Sequence, residues 1–518
     1  MSGEAPLTVD GRSLRLEEVA RVARGAPVVE RLPEEARGRM ERSRAAVEEV
    51  VEGEEPVYGV NTGFGKLSDV RVSREKLREL QLNLIRSHAC GVGDPLEREE
   101  ARAVILLRAN QLATGRSGVR PEVAERLLSL LERGVTPVIP RAGSVGASGD
   151  LAPAAHLALV LVGEGEAEVG GERLDGAEAL RRAGLEPLEL APKEGLALLN
   201  GTQGMTALGV LALLRAERAL EAAELAGAAS LEGLRGTPVP FDEAVQRARP
   251  HPGQEESARR LRALLSGSEI RESHRHGDPR VQDAYSVRCM PQVHGAARDT
   301  VRFVRRALEV EVNAATDNPL VFAGDGEEPR ILSNGNFHGQ PVATALDHLS
   351  TALVPVAAVS ERRTERLLNP DLSGLPAFLT PEPGLRSGMM MLQVTAASQV
   401  QACRHAADPA SGGSIPTGAA KEDHVSMGMH AAEGALEAVR AVERVLAVEL
   451  VAAAQAVDFH RPLRSGRGVE EGLARLREEI PPLEEDRPLA GDLERAAAMI
   501  RDGRLPEVVE RALAAAEE

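Results

Sequence analysis

Aromatic side chains are nearly missing from this 518-residue chain: no tryptophan, two tyrosines and seven phenylalanines, 2% in all. A core must therefore be built from Ala, Leu and Val, and a 43% apolar content supplies enough of them. Cysteine is also scarce. Cys90, Cys289 and Cys403 lie far apart with no CxxC pair, which argues against a disulfide framework and for reduced thiols in a cytoplasmic protein. Positive charge is outnumbered, 62 Lys+Arg against 79 Asp+Glu, for a formal charge of −17. That balance argues against nucleic acid or an anionic membrane as the main partner. Nearly all of the positive charge is Arg, which suits ion-pair networks in a heat-tolerant host and equally fits a bias of genomic base composition. No basic segment followed by an apolar stretch opens the chain, so no signal peptide is expected. The longest uncharged run, residues 195–214, is long enough to raise the question of a membrane span. It contains Asn200-Gly201-Thr202-Gln203-Gly204, which fits a polar loop ahead of a buried helix better.

What the chain has in abundance is helical periodicity. Residues 205–234 and 430–457 carry dense Ala, Leu and Val at helical spacing, with Glu and Arg on the opposing positions, and 347–367 and 387–407 read similarly. Shorter charged helices are expected at 33–52 and 98–113, and short strands near 169–174 and 320–322. No repeat of 20–50 residues and no low-complexity linker is present. The expected fold is mainly α: a long-helix bundle with a smaller N-terminal mixed region. The expected division is a domain over 1–200, carrying the glycine-rich loop and the Tyr58 segment, and a bundle over 201–518 with a C-terminal helical extension.

The densest chemical signal is RAGSVGASGDLAPAAH, residues 141–156, centred on Ala147-Ser148-Gly149. Gly143, Gly146 and Gly149 make a turn that runs into a helix, with Asp150 placed to cap it and Pro153 in its first turn. One reading is a tight loop, or an anion site at a helix N-terminus. The other is that three small residues let the Gly149 nitrogen fold back onto the Ala147 carbonyl carbon. Loss of water would then leave a methylidene-imidazolone, an electrophile made by the chain itself.

Other segments combine glycine with polar groups. Tyr58 lies in YGVNTGFG, a surface turn or a loop able to close over a site. Tyr58 and Tyr285 are the two tyrosines, and both sit in polar surroundings, as suits phenolic acid–base chemistry. His88 ends NLIRSHACGVG, where a helix dipole alone also favours histidine. Asn200 stands at the mouth of a long helix. Gln282, Tyr285 and Arg288 are spaced by three, so one helical face would carry them, and an arginine fork there can bind a carboxylate or simply face solvent. Phe337 lies in polar NGNFHGQ, and Glu422 in SIPTGAAKEDHVSM. His274 and His276 resemble a metal pair, but no further ligands at zinc-like spacing follow, so no metal is expected.

Taken in order, YGVNTGFG, NLIRSHACGVG, SVGASGDLAP, LLNGTQG, RVQDAYSVRCMPQV, NGNFHGQPVA, SIPTGAAKEDHVSM and DFHRPLRSG resemble the aromatic amino acid ammonia-lyases, most closely their histidine-acting branch. The resemblance implies a homotetramer of fumarase/aspartase-like architecture whose active sites combine motifs from more than one subunit. It implies that Ala147, Ser148 and Gly149 form 4-methylidene-imidazol-5-one (MIO), with Asp150 assisting and no external cofactor. It further implies Tyr58 as the base for the substrate β-proton, Arg288 as the carboxylate anchor, and Asn200, Gln282 and Tyr285 as the polar wall. His88 and Glu422 would face the imidazole, with Phe337 beside the ring. The implied reaction turns L-histidine into urocanate and ammonia. Met290, His294, Gln340 and Lys421 depart from common patterns of that branch. The alternatives are a tyrosine or phenylalanine lyase or a 2,3-aminomutase with the same MIO chemistry, a fumarase/argininosuccinate-type lyase, and a non-catalytic helical scaffold.

Overall fold

The computed structural model describes residues 5–53, 55–63, 65–68, 70–324 and 327–517. They form two compact units, each assembled from separated stretches: Met1–Leu211 with Arg305–Asp347 and Pro409–Glu433, and Ala212–Val304 with His348–Asp408 and Gly434–Glu518. The long helices run Gln203–Gly233, Met290–Glu311, Gln340–Leu368 and Gly428–Asp458, so the chain is mainly α, as its periodicity predicts.

The first unit is mixed. Its Arg98–Ala113 helix is buried along nearly its whole length and packs against Pro121–Glu132, which Pro121 starts at the position where a missing N–H costs nothing. Leu84, Ala154, Ala155, Leu196 and Leu199 form an apolar cluster that packs the helices Leu77–His88, Leu151–Leu161 and Glu194–Leu199 together. Among the described residues the unit also holds three small antiparallel sheets: Val92–Pro95 with Pro140–Ala142, Val135–Pro137 with Glu166–Val169 and Glu172–Asp175, and Leu320–Gly324 with Glu327–Leu332. The strand expected near 169–174 is instead the tip of a hairpin. Gly170 and Gly171 both take positive φ (+61° and +85°), the two-residue turn that matches strand twist.

The second unit shows how a core poor in aromatics is filled. An added Cβ on Gly227 would stand 2.3 Å from Met290 Sδ, one on Gly233 2.9 Å from Ala456 Cβ, and one on Gly472 2.6 Å from Leu225 Cδ1. Close helix approach thus replaces large side chains. Helix Gln340–Leu368 is long and apolar enough to cross a membrane by length and composition, yet 56% of that window is buried within the protein.

Arginine–glutamate pairs link these helices. Arg298 donates to both oxygens of Glu224 (2.9 and 2.5 Å) and to Glu221 (3.1 Å), while Arg260 reaches Glu221 (3.0 Å), Glu256 (2.5 Å) and, on the Pro506–Glu517 helix, Glu510 (2.9 Å). Glu224 is fully buried, and burial pushes its carboxyl above the usual range. Substituting Arg298→Met strands that carboxylate, so the denaturant midpoint is expected to fall by the equivalent of about 3–5 kcal/mol, with partial recovery on adding Glu224→Gln. An unchanged midpoint would contradict the network's role.

Candidate active site

The loop after strand Pro140–Ala142 turns at Ser148 (φ +51°) and Gly149 (φ +81°). Gly149 pairs with Gly201 as an isolated parallel bridge: Gly201 N–H donates to the Ser148 carbonyl (3.2 Å) and Asp150 N–H to the Gly201 carbonyl (2.9 Å). A Cβ on Gly149 would lie 2.0 Å from the Gly201 oxygen, so only glycine fits. On another side, Met427 N–H donates to the Val145 carbonyl (2.8 Å) and Ser426 Oγ to the Gly146 carbonyl (3.3 Å). Ala147 is buried, whereas Ser148 is half-buried.

Asp150 stands at the N-cap of Leu151–Leu161 but does not cap it, contrary to the sequence expectation. Its carboxylate turns instead to Ser144 Oγ–H (2.9 Å) and to Met205 N–H (2.7 Å), thereby capping the Gln203–Gly233 helix. Burial pushes its pKa up to about 6, against the opposing pull of those donors and of Arg108.

Sequence reasoning missed the polar residues beneath this loop. Arg108, fully buried, donates to the carbonyls of Asn200 and Ala197 (the latter at 3.2 Å), and burial lowers its pKa to about 10. Lys193 donates to Asp317 (2.6 Å), both side chains fully buried. Asn200 Nδ2 donates to the Asn318 carbonyl (2.8 Å) and approaches Asp317 Oδ1 (3.4 Å). Lys193 is one of only four lysines in the chain, a rarity as informative as that of tyrosine.

Tyr58 is half-buried in its turn, and Phe64 of the same motif lies outside the described residues. Burial raises the phenol pKa, the Asp317 and Glu422 carboxylates add to the shift, and the Gly65 backbone opposes it. His88 ends helix Leu77–His88 with Nδ1 2.8 Å from the Leu84 carbonyl. A carbonyl only accepts, so Nδ1 carries a proton, which leaves Nε2 as the nitrogen free to face the site. Glu422 Oε2 accepts from Thr417 Oγ–H (2.5 Å), and the Thr417–Glu422 backbones bridge around Gly418, Ala419 and Ala420, all at positive φ. Left-handed alanines are strained, a feature that clusters at functional loops. Phe337 is half-buried, and its neighbour His338 stacks on His424 at 5.6 Å. Gly339 places this loop against Met205 and Ser426.

These groups, from Tyr58 to Glu422, belong to the first unit. Gln282, Tyr285 and Arg288 belong to the second. There the helical turn is only Tyr285–Arg288, and Gln282 precedes it in a bend rather than sharing its face. Arg288 lies over the Tyr285 ring, 4.7 Å from its centroid, and its Nε is buried without a partner. Among the described residues, no group of three or more His, Cys, Asp or Glu side chains is placed to hold a metal ion.

Residues 14–478 match the aromatic amino acid lyase family. The chain belongs to that family. Among its relatives, the histidine ammonia-lyase of Anaeromyxobacter dehalogenans is 57% identical over 507 residues, covering 96% of this chain and 99% of the relative. The crystal structure of histidine ammonia-lyase from Trypanosoma cruzi superposes with a TM-score of 0.90 at 42% identity, covering 98% of this chain and 96% of the other. That of tyrosine aminomutase from Streptomyces globisporus gives 0.91 at 40%, covering 98% and 99%. The aromatic amino acid lyase fold is thus shared by a lyase and an aminomutase, and side chains must decide between them.

A carboxyl that is harder to ionise folded than unfolded binds extra protons in the folded state. Its stabilising contribution therefore shrinks as pH rises from about 4 to about 6. For Asp150 the full span is about 3 kcal/mol. The stability lead of the natural protein over Asp150→Asn is expected to narrow across this window in denaturant titrations; a constant or widening lead would contradict the assignment.

Proposed function

We propose that this protein is a cytoplasmic, homotetrameric histidine ammonia-lyase: it breaks the Cα–N bond of L-histidine and removes a β-proton, releasing urocanate and ammonia. The observation that carries this reading is the clamped Ala147-Ser148-Gly149 turn, found in a chain 57% identical to a histidine ammonia-lyase over nearly its whole length.

The segment fits MIO. Ser148 already holds a left-handed turn, Gly149 has no space for a Cβ, and Ala147 is buried beside the half-exposed serine. Ala147, Ser148 and Gly149 would form the ring and Asp150, with its raised pKa, is a buried carboxyl beside it that can hold a proton. When formed, MIO supplies an electrophilic methylidene carbon, making either the amine a better leaving group or the β-proton more acidic. The chain's own side chains divide the remaining work. Arg288 anchors the substrate carboxylate through its fork. Tyr58 takes the β-proton; a raised phenol pKa makes its anion a strong base but a scarce one near neutrality. His88 and Glu422 face the imidazole, and the Glu422 carboxylate, held in orientation by Thr417, accepts or shares the ring's N–H proton. Gln282 and Tyr285 complete the polar wall, Asn200 supports the loop and the substrate's polar end, and Phe337 packs beside the ring. Tyr285 is 72% exposed and Val281 96% exposed within one chain, as suits a site completed by another copy.

A second reading, tyrosine or phenylalanine deamination or 2,3-amino migration by the same chemistry, is favoured by the likeness to the Streptomyces globisporus aminomutase.

Two substitutions test the chemistry. Ser148→Ala is expected to abolish the ultraviolet absorbance of MIO and lower urocanate formation by at least about 10³-fold while the assembly persists; a fully active variant would overturn the mechanism. In the natural protein kcat is expected to climb with pH through the alkaline range, because the raised phenol pKa leaves little anion at neutrality. Tyr58→Phe is expected to keep the absorbance and lose that rise together with turnover; near-normal kcat would reassign the base.

A further inference from the structure

The turn Tyr285–Arg288 is a single helical turn, too short to hold its own shape. Tyr285 is exposed, so support has to come from the buried side, where Ser286 and Val287 lie. There one guanidinium reaches it: Arg363 Nη1 donates to the Ser286 carbonyl at 3.1 Å, the peptide between Tyr285 and Arg288.

That guanidinium has no freedom. Arg363 Nε and Nη2 donate to the two oxygens of Glu449 at 2.5 and 2.8 Å. Each of those oxygens also accepts a hydroxyl, from Ser230 Oγ and Ser360 Oγ, both at 2.6 Å. All four side chains are fully buried. Ser230, Glu449 and the Arg363/Ser360 pair stand on three different long helices. A buried ion pair is seldom the most stabilising way to fill such a space, since desolvation offsets much of its attraction. What it supplies that an apolar group cannot is a rigid, planar donor aimed at one carbonyl.

We propose that Arg363 is a positioning residue: through Ser286 it fixes the Tyr285–Arg288 turn so that Arg288 meets the substrate carboxylate. This rests on the reading of Arg288 as the carboxylate anchor. Arg363 touches no substrate; the Glu449–Ser230–Ser360 cradle fixes its fork and the fork fixes the turn.

Calorimetric titration of the purified full-length protein separates this role from general stability. The probes are 3-(imidazol-4-yl)propionate, which offers ring and carboxylate, and 4-methylimidazole, which offers the ring alone. Arg363→Lys keeps the charge but loses the fork. It is expected to bind the propionate about tenfold more weakly, the scale of one charge-assisted hydrogen bond, and methylimidazole within about twofold of the natural protein. Equal weakening of both probes, or of neither, overturns the proposal. Should Arg363→Lys not fold, the double variant Ser230→Ala/Ser360→Ala, which retains the ion pair and loosens its cradle, is expected to show the same selectivity at about threefold; an unselective or absent loss there overturns it equally. Arg288→Gln serves as the control. If it does not selectively weaken propionate binding, the carboxylate-anchor reading fails, whereas a selective loss there without one in the Arg363 and serine variants condemns only the positioning role.

Discussion

Two glycine backbones lie side by side in the first unit, Gly149 and Gly201, with no space between them for a single methyl group. Much of the candidate site follows from that contact. It presses the Ala147-Ser148-Gly149 turn against the start of the Gln203–Gly233 helix, and Asp150, one residue on, reaches the Met205 N–H of that helix. Loop and helix mouth are therefore one object. Asn200 is held in the same stroke, because the residue beside it is the partner in the bridge. Small residues are usually evidence of little; here their smallness is what permits the approach.

Around that contact the protein buries charge. Arg108, Lys193, Asp317 and Asp150 are all removed from water, and each is neutralised or hydrogen-bonded. An apolar core could hold the same helices at lower desolvation cost. Charged forks and carboxylates instead aim hydrogen bonds at particular backbone groups: the Asn200 carbonyl, Met205 N–H and, in the second unit, the Ser286 carbonyl. The composition agrees with this design. A chain with 2% aromatics packs its helices through Ala, Leu and Gly, and leaves orientation to polar groups.

The long helices were legible because their apolar spacing persists over many turns, and residues 205–234 and 430–457 match the observed helices to within two residues at each end. The motifs were legible where glycine or a rare residue marked them, as with Ser148 and Tyr58. Misreadings arose where a distant partner outbid a local one. Asp150 holds the capping position of its own helix yet serves another, because Met205 N–H comes within 2.7 Å. Gln282 shares a spacing of three with Tyr285, but the helix begins only at Tyr285. The contacts of Arg363 and Ser426 could not be found: their partners lie 77 and 280 residues away, and no local pattern encodes such a distance.

Substrate identity is the central claim, and three amino acids offered in parallel to the purified protein address it most directly. L-histidine, L-tyrosine and L-phenylalanine would each be followed by ultraviolet growth of the conjugated acid, released ammonia and chromatographic separation of α- from β-amino acid. Urocanate and ammonia from histidine, with neither product from the other two, is the result the structure and its relatives lead us to expect. Turnover of tyrosine or phenylalanine with histidine inert, whether to ammonia or to a β-amino acid, would contradict it.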